Sequence, residues 1–285
     1  MQKIIACYHG GCSDGTSAAW VLKKKYPEAE CYGIRPSETD FSFVDFSGAV
    51  VFFLDVSPAN FDGILDVADH VFLYDHHMTS KKLVDSLGAR ENLTIVFDYE
   101  RCGCLITWDE LFLGETRPWF LEYIDDRDRW VWKLPNSREI NEAIYSQGWM
   151  ERLDELCEAN KELLVAAGKE LLEIKEKEIV FAILQAVPVK FCGYKIWLCQ
   201  APWKLRSEVG NRLCFVPLPY EDAAPFSAIW KSDEESGEIW VSLRGDKHSP
   251  CLATLCEKFG GGGHQKAAGF TINSAREFEE IFEII

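Results

Sequence analysis

The sequence reads as an α/β protein in two domains. A doubly wound, mainly parallel sheet comes first, a helical connector follows, and a smaller α/β domain closes the chain. Three observations lead there. Short apolar runs rich in β-branched and aromatic residues alternate with helical patterns through the first half. Apolar residues at three- and four-residue steps then dominate residues 150–180. From about residue 186 the pattern returns to strands, and 285 residues suffice for two domains. The expected division is 1–150, a connector over 151–185, and 186–285.

The elements follow in order. Residues 4–8 read as a buried strand, and 16–25 as a helix with Ala18, Ala19, Val21 and Leu22 on its apolar face. Short strands are expected at 30–33, 50–54, 71–74 and 93–97. Strand–helix alternation of this kind predicts a parallel sheet. Residues 105–112 and 118–123 read as helices. In the connector, Leu153, Leu156, Leu163, Leu164, Ala167, Leu171 and Ile174 recur at helical spacing, with Glu and Lys between them as a solvated face. Strands are expected at 187–198, 238–243 and 269–272, and helices at 250–259 and 275–284.

Composition excludes several classes. Hydrophobic residues make up 47% and charged residues 27%, which excludes a disordered or fibrous chain. The longest apolar runs, 49–54 and 179–184, fall well short of the ~18 residues of a membrane helix, so no membrane partner is expected. The net charge of -16 argues against binding long duplex DNA, where phosphate neutralisation dominates affinity. The 11 cysteines form no Cys-x-x-Cys pair. With no signal-peptide pattern at the N-terminus, reduced thiols and a cytoplasmic location are expected.

Three aspartates close predicted strands: Asp14 in His9-Gly10-Gly11-Cys12-Ser13-Asp14-Gly15, Asp55 after the 50–54 run, and Asp75 at the head of Asp75-His76-His77. In open α/β sheets ligands bind at the carboxyl ends of the strands. Neighbouring strands lie only ~5 Å apart, so these acids converge. Converging carboxylates repel unless a cation or a raised pKa resolves the conflict. Added imidazoles make the mixed oxygen/nitrogen set suit Mn²⁺, and also Fe²⁺, Zn²⁺ or Mg²⁺. A lone Asp after a strand is usually a turn or helix cap; the combination is what points to a site. A further cluster holds Asp125, Asp126, Arg127, Asp128 and Arg129. Near the C-terminus stands Gly260-Gly261-Gly262-Gly263-His264, where glycine permits close backbone approach to an anion. Arg244 is a candidate bidentate phosphate contact.

Asp75-His76-His77, the Asp14-Gly15 turn, Asp55, the 125–128 cluster and Gly-Gly-Gly-His together resemble the DHH phosphoesterase superfamily. The resemblance is to the branch with a C-terminal DHH-associated substrate domain, in the same order along nearly the whole chain. It implies hydrolysis of phosphodiester bonds in short oligonucleotides or dinucleotides by metal-activated water. Alternatives are a pyrophosphatase or polyphosphatase, or a nucleotide-binding regulatory protein with a degenerate metal site. By position, the resemblance makes His9, Asp14, Asp55, His76 and Asp126 ligands of two ions, usually Mn²⁺, with Asp55 bridging. It places Asp75 behind a histidine, His77 on the scissile phosphate, and Arg244, Gly261, Gly262, Gly263 and His264 on the substrate. One departure stands out. Cys12 and Ser13 occupy the stretch where the superfamily carries another aspartate. Cys12 is expected to be a small packed residue, with ligation of a softer metal such as Zn²⁺ as the alternative.

Overall fold

Five strands form the first sheet: β1 (Lys3–His9), β2 (Glu30–Ile34), β3 (Ala49–Leu54), β4 (His70–Asp75) and β5 (Leu93–Phe97). All pairs are parallel, in the order β2-β1-β3-β4-β5. The coordinates are a computed structural model describing residues 2–35, 38, 40–59, 61–87, 90–219, 224–233 and 236–285.

Near-continuous apolar strands require cover on both faces. Residues Ile5, Cys7, Val51, Phe53, Val71 and Leu73 point to one face and pack with Phe46, Phe61 and Ile64. Ala6, Phe52, Leu54 and Tyr74 point to the other. There they meet α1 (Ser13–Lys25), which precedes the short α2 (Asp62–Leu65) and α3 (Met78–Ser86), and also α4 (Gly103–Leu111) and α5 (Trp119–Asp128). The sheet is therefore doubly wound, as expected. Phe52 and Phe53 are almost wholly buried, and truncating either to Ala costs ~3–5 kcal/mol. The chain leaves β1 toward β2 on one side and returns to β3 on the other. That reversal opens a crevice at the carboxyl ends of β1 and β3.

Beyond α6 (Ser137–Ser146), the long helical pattern resolves into α7 (Leu153–Cys157) and α8 (Lys161–Ile183). The break has a local cause: the Leu163 N–H donates to Asn160 Oδ1 at 3.0 Å, a helix cap. The chain divides into two compact units, residues 1–172 and 173–285, with α8 crossing the division.

The second unit holds a seven-stranded sheet of β6 (Val187–Phe191), β7 (Tyr194–Gln200), β8 (Phe226–Ser232), β9 (Ile239–Gly245), β10 (Gly262–Gly263), β11 (Ala267–Ile272) and β12 (Glu283–Ile284). The order is β10-β11-β9-β8-β7-β6-β12, antiparallel except for β7 with β8. The helices are α9 (Arg206–Leu213), α10 (Leu252–Glu257) and α11 (Ala275–Ile281). The single strand expected over 187–198 is instead a hairpin. Cys192 (φ 48°) and Gly193 (φ 84°) turn it, and two consecutive positive φ values are what a two-residue hairpin loop requires. No helix among the described residues is long and apolar enough to cross a membrane.

Candidate metal centre

The crevice of the first unit gathers side chains from five elements. His9 ends β1, Asp55 follows β3, and Asp75, His76 and His77 follow one another at the end of β4. Asp14 lies in the first turn of α1, and Asp128 ends α5. Two glycines bring the helices close enough. A Cβ on Gly15 would lie 2.4 Å from the His9 carbonyl oxygen, and one on Gly103 would lie 2.6 Å from Asp55 Cβ. Any other residue would hold α1 or α4 away from the strand ends.

His76 Nε2 sits at the centre. It lies 3.2 Å from Asp55 Oδ1, 3.4 Å from Asp128 Oδ2 and 3.6 Å from Asp14 Oδ2. His9 Nδ1 is 3.3 Å from Asp55 Oδ2. Asp75 stands behind the histidines: its Oδ1 accepts the His76 and His77 backbone N–H groups and pairs with His77 Nδ1 at 2.7 Å, while Ser80 Oγ donates to Oδ2. Asp14 is anchored by the turn into α4, accepting the Gly103 N–H at 2.7 Å and the Cys104 N–H at 2.6 Å. Each carboxylate oxygen keeps a second lone pair for another partner.

Burial sets the electrostatics. Asp14 has no exposed surface, and desolvation followed by the neighbouring Asp55 and Asp128 carboxylates pushes it well above the usual carboxylate range. Burial also acts upward on Asp55, but the bonds from His76 and His9 outweigh it and hold that carboxyl well below its ordinary value. The His76 imidazole is raised to about 10, because burial is overcome by Asp55 and Asp128. Burial, then Asp55 and Asp14, push the Cys12 thiol up. Three acidic side chains, two buried and Asp128 partly exposed, thus crowd one histidine, and the raised Asp14 pKa records their mutual repulsion.

The donors fit a divalent cation. The ligand atoms of Asp14, His76 and Asp128 all lie within 4.8 Å of one another, as do those of His9, Cys12 and Asp55. Oxygen with imidazole nitrogen suits Mn²⁺, Mg²⁺, Fe²⁺ or Zn²⁺.

Of the residues singled out from sequence, His9, Asp14, Asp55, His76 and His77 come together here, with Asp75 bonded directly to His77. Asp126 does not join them. Its oxygens accept the Lys133 and Leu134 N–H groups at 2.8 and 3.2 Å, closing the turn after α5. Asp125 is likewise engaged, by Arg129 Nε and Nη2 and the Cys102 N–H. The carboxylate that reaches His76 is Asp128, so Asp126, expected as the last metal carboxylate, lies outside this cluster. Ser80 and the Cys102-Gly103-Cys104 turn carry no sequence signal of their roles.

In the second unit, Gly262 and Gly263 pair with Gly269 and Ala268, and Arg244 pairs with Ala267. The register sets the glycine hairpin and Arg244 at the same end of β11. A Cβ on Gly261 would lie 2.1 Å from the Gly269 carbonyl oxygen, so glycine is required for the strands to approach. The Arg244 guanidinium donates to Ser242 Oγ, the Leu243 carbonyl and Ser207 Oγ at 2.6–3.0 Å. Burial, with Arg206 nearby, lowers it to about 10.

No known family model matches the chain. An uncharacterized protein of Acanthamoeba polyphaga mimivirus is 27% identical over 308 residues, spanning 98% of this chain and 70% of that one. A solved DHH domain, from a member of the s1p family of ribosomal proteins, matches with a TM-score of 0.59 at 13% identity, over 98% of this chain and 84% of its own. The chain shares the DHH fold. An exopolyphosphatase-related protein from Bacteroides fragilis matches with a TM-score of 0.52 at 15% identity, over 98% of this chain and 90% of that one. At these identities the likeness extends to architecture.

Proposed function

We propose that this chain is a metal-dependent phosphohydrolase of the DHH superfamily, acting on phosphodiester bonds of short oligonucleotides or dinucleotides. The observation that carries the reading is the convergence of Asp14, Asp55 and Asp128 on His76 at the carboxyl ends of parallel strands. His9, Asp14, Asp55, His76 and Asp128 would hold the metal. When bound, a divalent cation supplies Lewis-acid polarisation of a phosphoryl oxygen and neutralises charge developing on phosphate.

The chain's own residues do the rest. Asp75 holds His77 Nδ1 and so fixes the ring's orientation, and contact with the scissile phosphate falls to Nε2. The His77 pKa is raised, because Asp75 outweighs burial, which favours the cationic ring that donates to an anion. Asp14 depends on the α4 turn for its position and on burial for exclusion of water. The glycine hairpin, His264 and Arg244 would bind the part of the substrate away from the reacting phosphorus.

The net charge of -16 favours a short substrate over a long polyanion. The shared fold with an exopolyphosphatase-related protein supports one second reading, hydrolysis of polyphosphate. Assays on a dinucleotide, a generic diester and polyphosphate, each with Mn²⁺, separate the two. Turnover of dinucleotide and diester is expected; turnover of polyphosphate alone would favour the second reading, and none on any substrate would remove both.

A further inference from the structure

Cys12 occupies a position that its role as a helix cap does not explain. Its Sγ accepts the Gly15 N–H at 3.1 Å, which starts α1. Serine caps helices well with a smaller, harder atom, so capping does not call for sulfur. The same Sγ lies 3.2 Å from Asp55 Oδ2. That oxygen is also the one His9 Nδ1 approaches, at 3.3 Å. Asp55 Oδ1 turns the other way, to His76. The two oxygens of one buried carboxylate therefore serve two donor sets of different chemistry. On one side stand His76, Asp14 and Asp128, which offer nitrogen and oxygen only. On the other stand His9 and Cys12, which offer nitrogen and sulfur.

We propose that Cys12 is a metal ligand, and that His9 Nδ1, Cys12 Sγ and Asp55 Oδ2 form a mixed nitrogen–sulfur–oxygen site for a thiophilic divalent cation of the Zn²⁺ type. The proposal rests on the metal-centre reading above and assigns the two sides of Asp55 different metal preferences. Soft thiolate selects Zn²⁺ over Mn²⁺ or Mg²⁺, whereas the all-oxygen-and-imidazole side tolerates the harder ions. Ligation forms a metal–sulfur bond and breaks the S–H bond, with the proton released to buffer, so binding at this site is accompanied by proton release. The cap contact and the metal bond are compatible, since a thiolate sulfur has lone pairs for both. The outcome is a centre in which two unlike ions sit on one bridging aspartate.

Co²⁺ reports thiolate ligation through its near-ultraviolet charge-transfer band, independently of turnover. The full chain, stripped of metal, is titrated with Co²⁺, and bound metal is counted by elemental analysis. The wild-type chain is expected to develop the band. Cys12→Ser keeps a capping side chain and is expected to lose the band and bind one ion fewer per chain. Cys12→Asp keeps a cap and supplies a hard ligand; it is expected to bind as many ions as wild type, without the band, and to prefer Mn²⁺ over Zn²⁺ in competition. Among the described residues, Cys102 and Cys104, whose sulfurs lie 3.4 Å apart beside Asp14, are the other thiols grouped with potential metal ligands and able to give such a band. A band that survives in Cys12→Ser comes from them and overturns the proposal. Cobalt bound by wild type without the band overturns it too, and leaves the metal-centre reading standing. A wild-type chain that binds no divalent cation overturns both. Should Cys12→Ser fail to fold, Cys12→Asp alone decides through the band and the metal preference.

Discussion

Gly103→Ala places a methyl group against the wall of the site and adds no charge or polar group. The new Cβ would lie 2.6 Å from Asp55 Cβ, 3.0 Å from Asp55 Cα and 3.2 Å from Asp14 Oδ2. Two of these atoms belong to Asp55, which directly follows β3 and is itself held at φ 60°. Carbon atoms rest near ~3.5 Å apart, so α4 must retreat by about 0.9 Å. That movement stretches the Gly103 and Cys104 N–H bonds to Asp14, now 2.7 and 2.6 Å, to the edge of hydrogen-bonding range or beyond it. Overpacking costs ~1–3 kcal/mol, and each neutral hydrogen bond lost costs ~1 kcal/mol, so a destabilisation of about 3–5 kcal/mol is expected. Freed from these two anchors, Asp14 shifts, and a displacement of ~1 Å near reacting groups typically lowers turnover by ~100-fold. Denaturant titration reads the first quantity and diester hydrolysis with Mn²⁺ the second. Gly63→Ala is the control, since its Cβ would meet nothing within 4 Å; it should be neutral or stabilising by up to ~1 kcal/mol. A Gly103→Ala protein within ~0.5 kcal/mol of wild type, a change usual for surface sites, and with unchanged turnover would refute the packing argument.

Asp55→Asn should lower kcat by ~1,000-fold or more, because one carboxylate serves both donor sets; a loss under ~10-fold would remove it from the bridge. Asp128→Asn should weaken metal binding with little effect on stability, whereas Asp126→Ala should leave metal content intact and cost ~1–3 kcal/mol by orphaning the Lys133 and Leu134 N–H groups. Elemental analysis and denaturant titration distinguish the pair, and the opposite pattern would return the metal role to Asp126. His264→Ala and Arg244→Gln should raise KM by ~10-fold or more with bound metal unchanged, as expected for contacts shared by ground and transition states. Loss of metal in both variants would contradict the assignment of these residues to substrate alone.

Much of this was legible in the sequence where local pattern and tertiary role agree. The runs ending at Asp55 and Asp75 are apolar because parallel strands are covered on both faces, so the strand ends, and the acids on them, could be placed without coordinates. The choice among Asp125, Asp126 and Asp128 could not. All three lie in the last turns of one helix, and what separates them is the partner each meets: Arg129 and Cys102 for Asp125, a turn backbone for Asp126, His76 for Asp128. Arg129, four residues after Asp125, was the one available signal. The break at Asn160 carried a capping signal hidden within a strong apolar period. The turn at Cys192-Gly193 was masked by the apolar residues on both sides, which read as one strand. β8, over Phe226–Ser232, has a composition that suits a strand but no alternation that sets it apart from its surroundings. The aim of Cys12 toward Asp55 depends on how closely Gly15 lets α1 approach β1, which is a tertiary distance.

Phosphodiester hydrolysis by the full chain, measured before and after metal removal, tests the central claim most directly. The account predicts that chelation abolishes turnover, that added Mn²⁺ restores it in the wild-type chain, and that it does not restore it in Asp55→Asn. Full turnover in excess chelator, or restoration in Asp55→Asn equal to wild type, would contradict it.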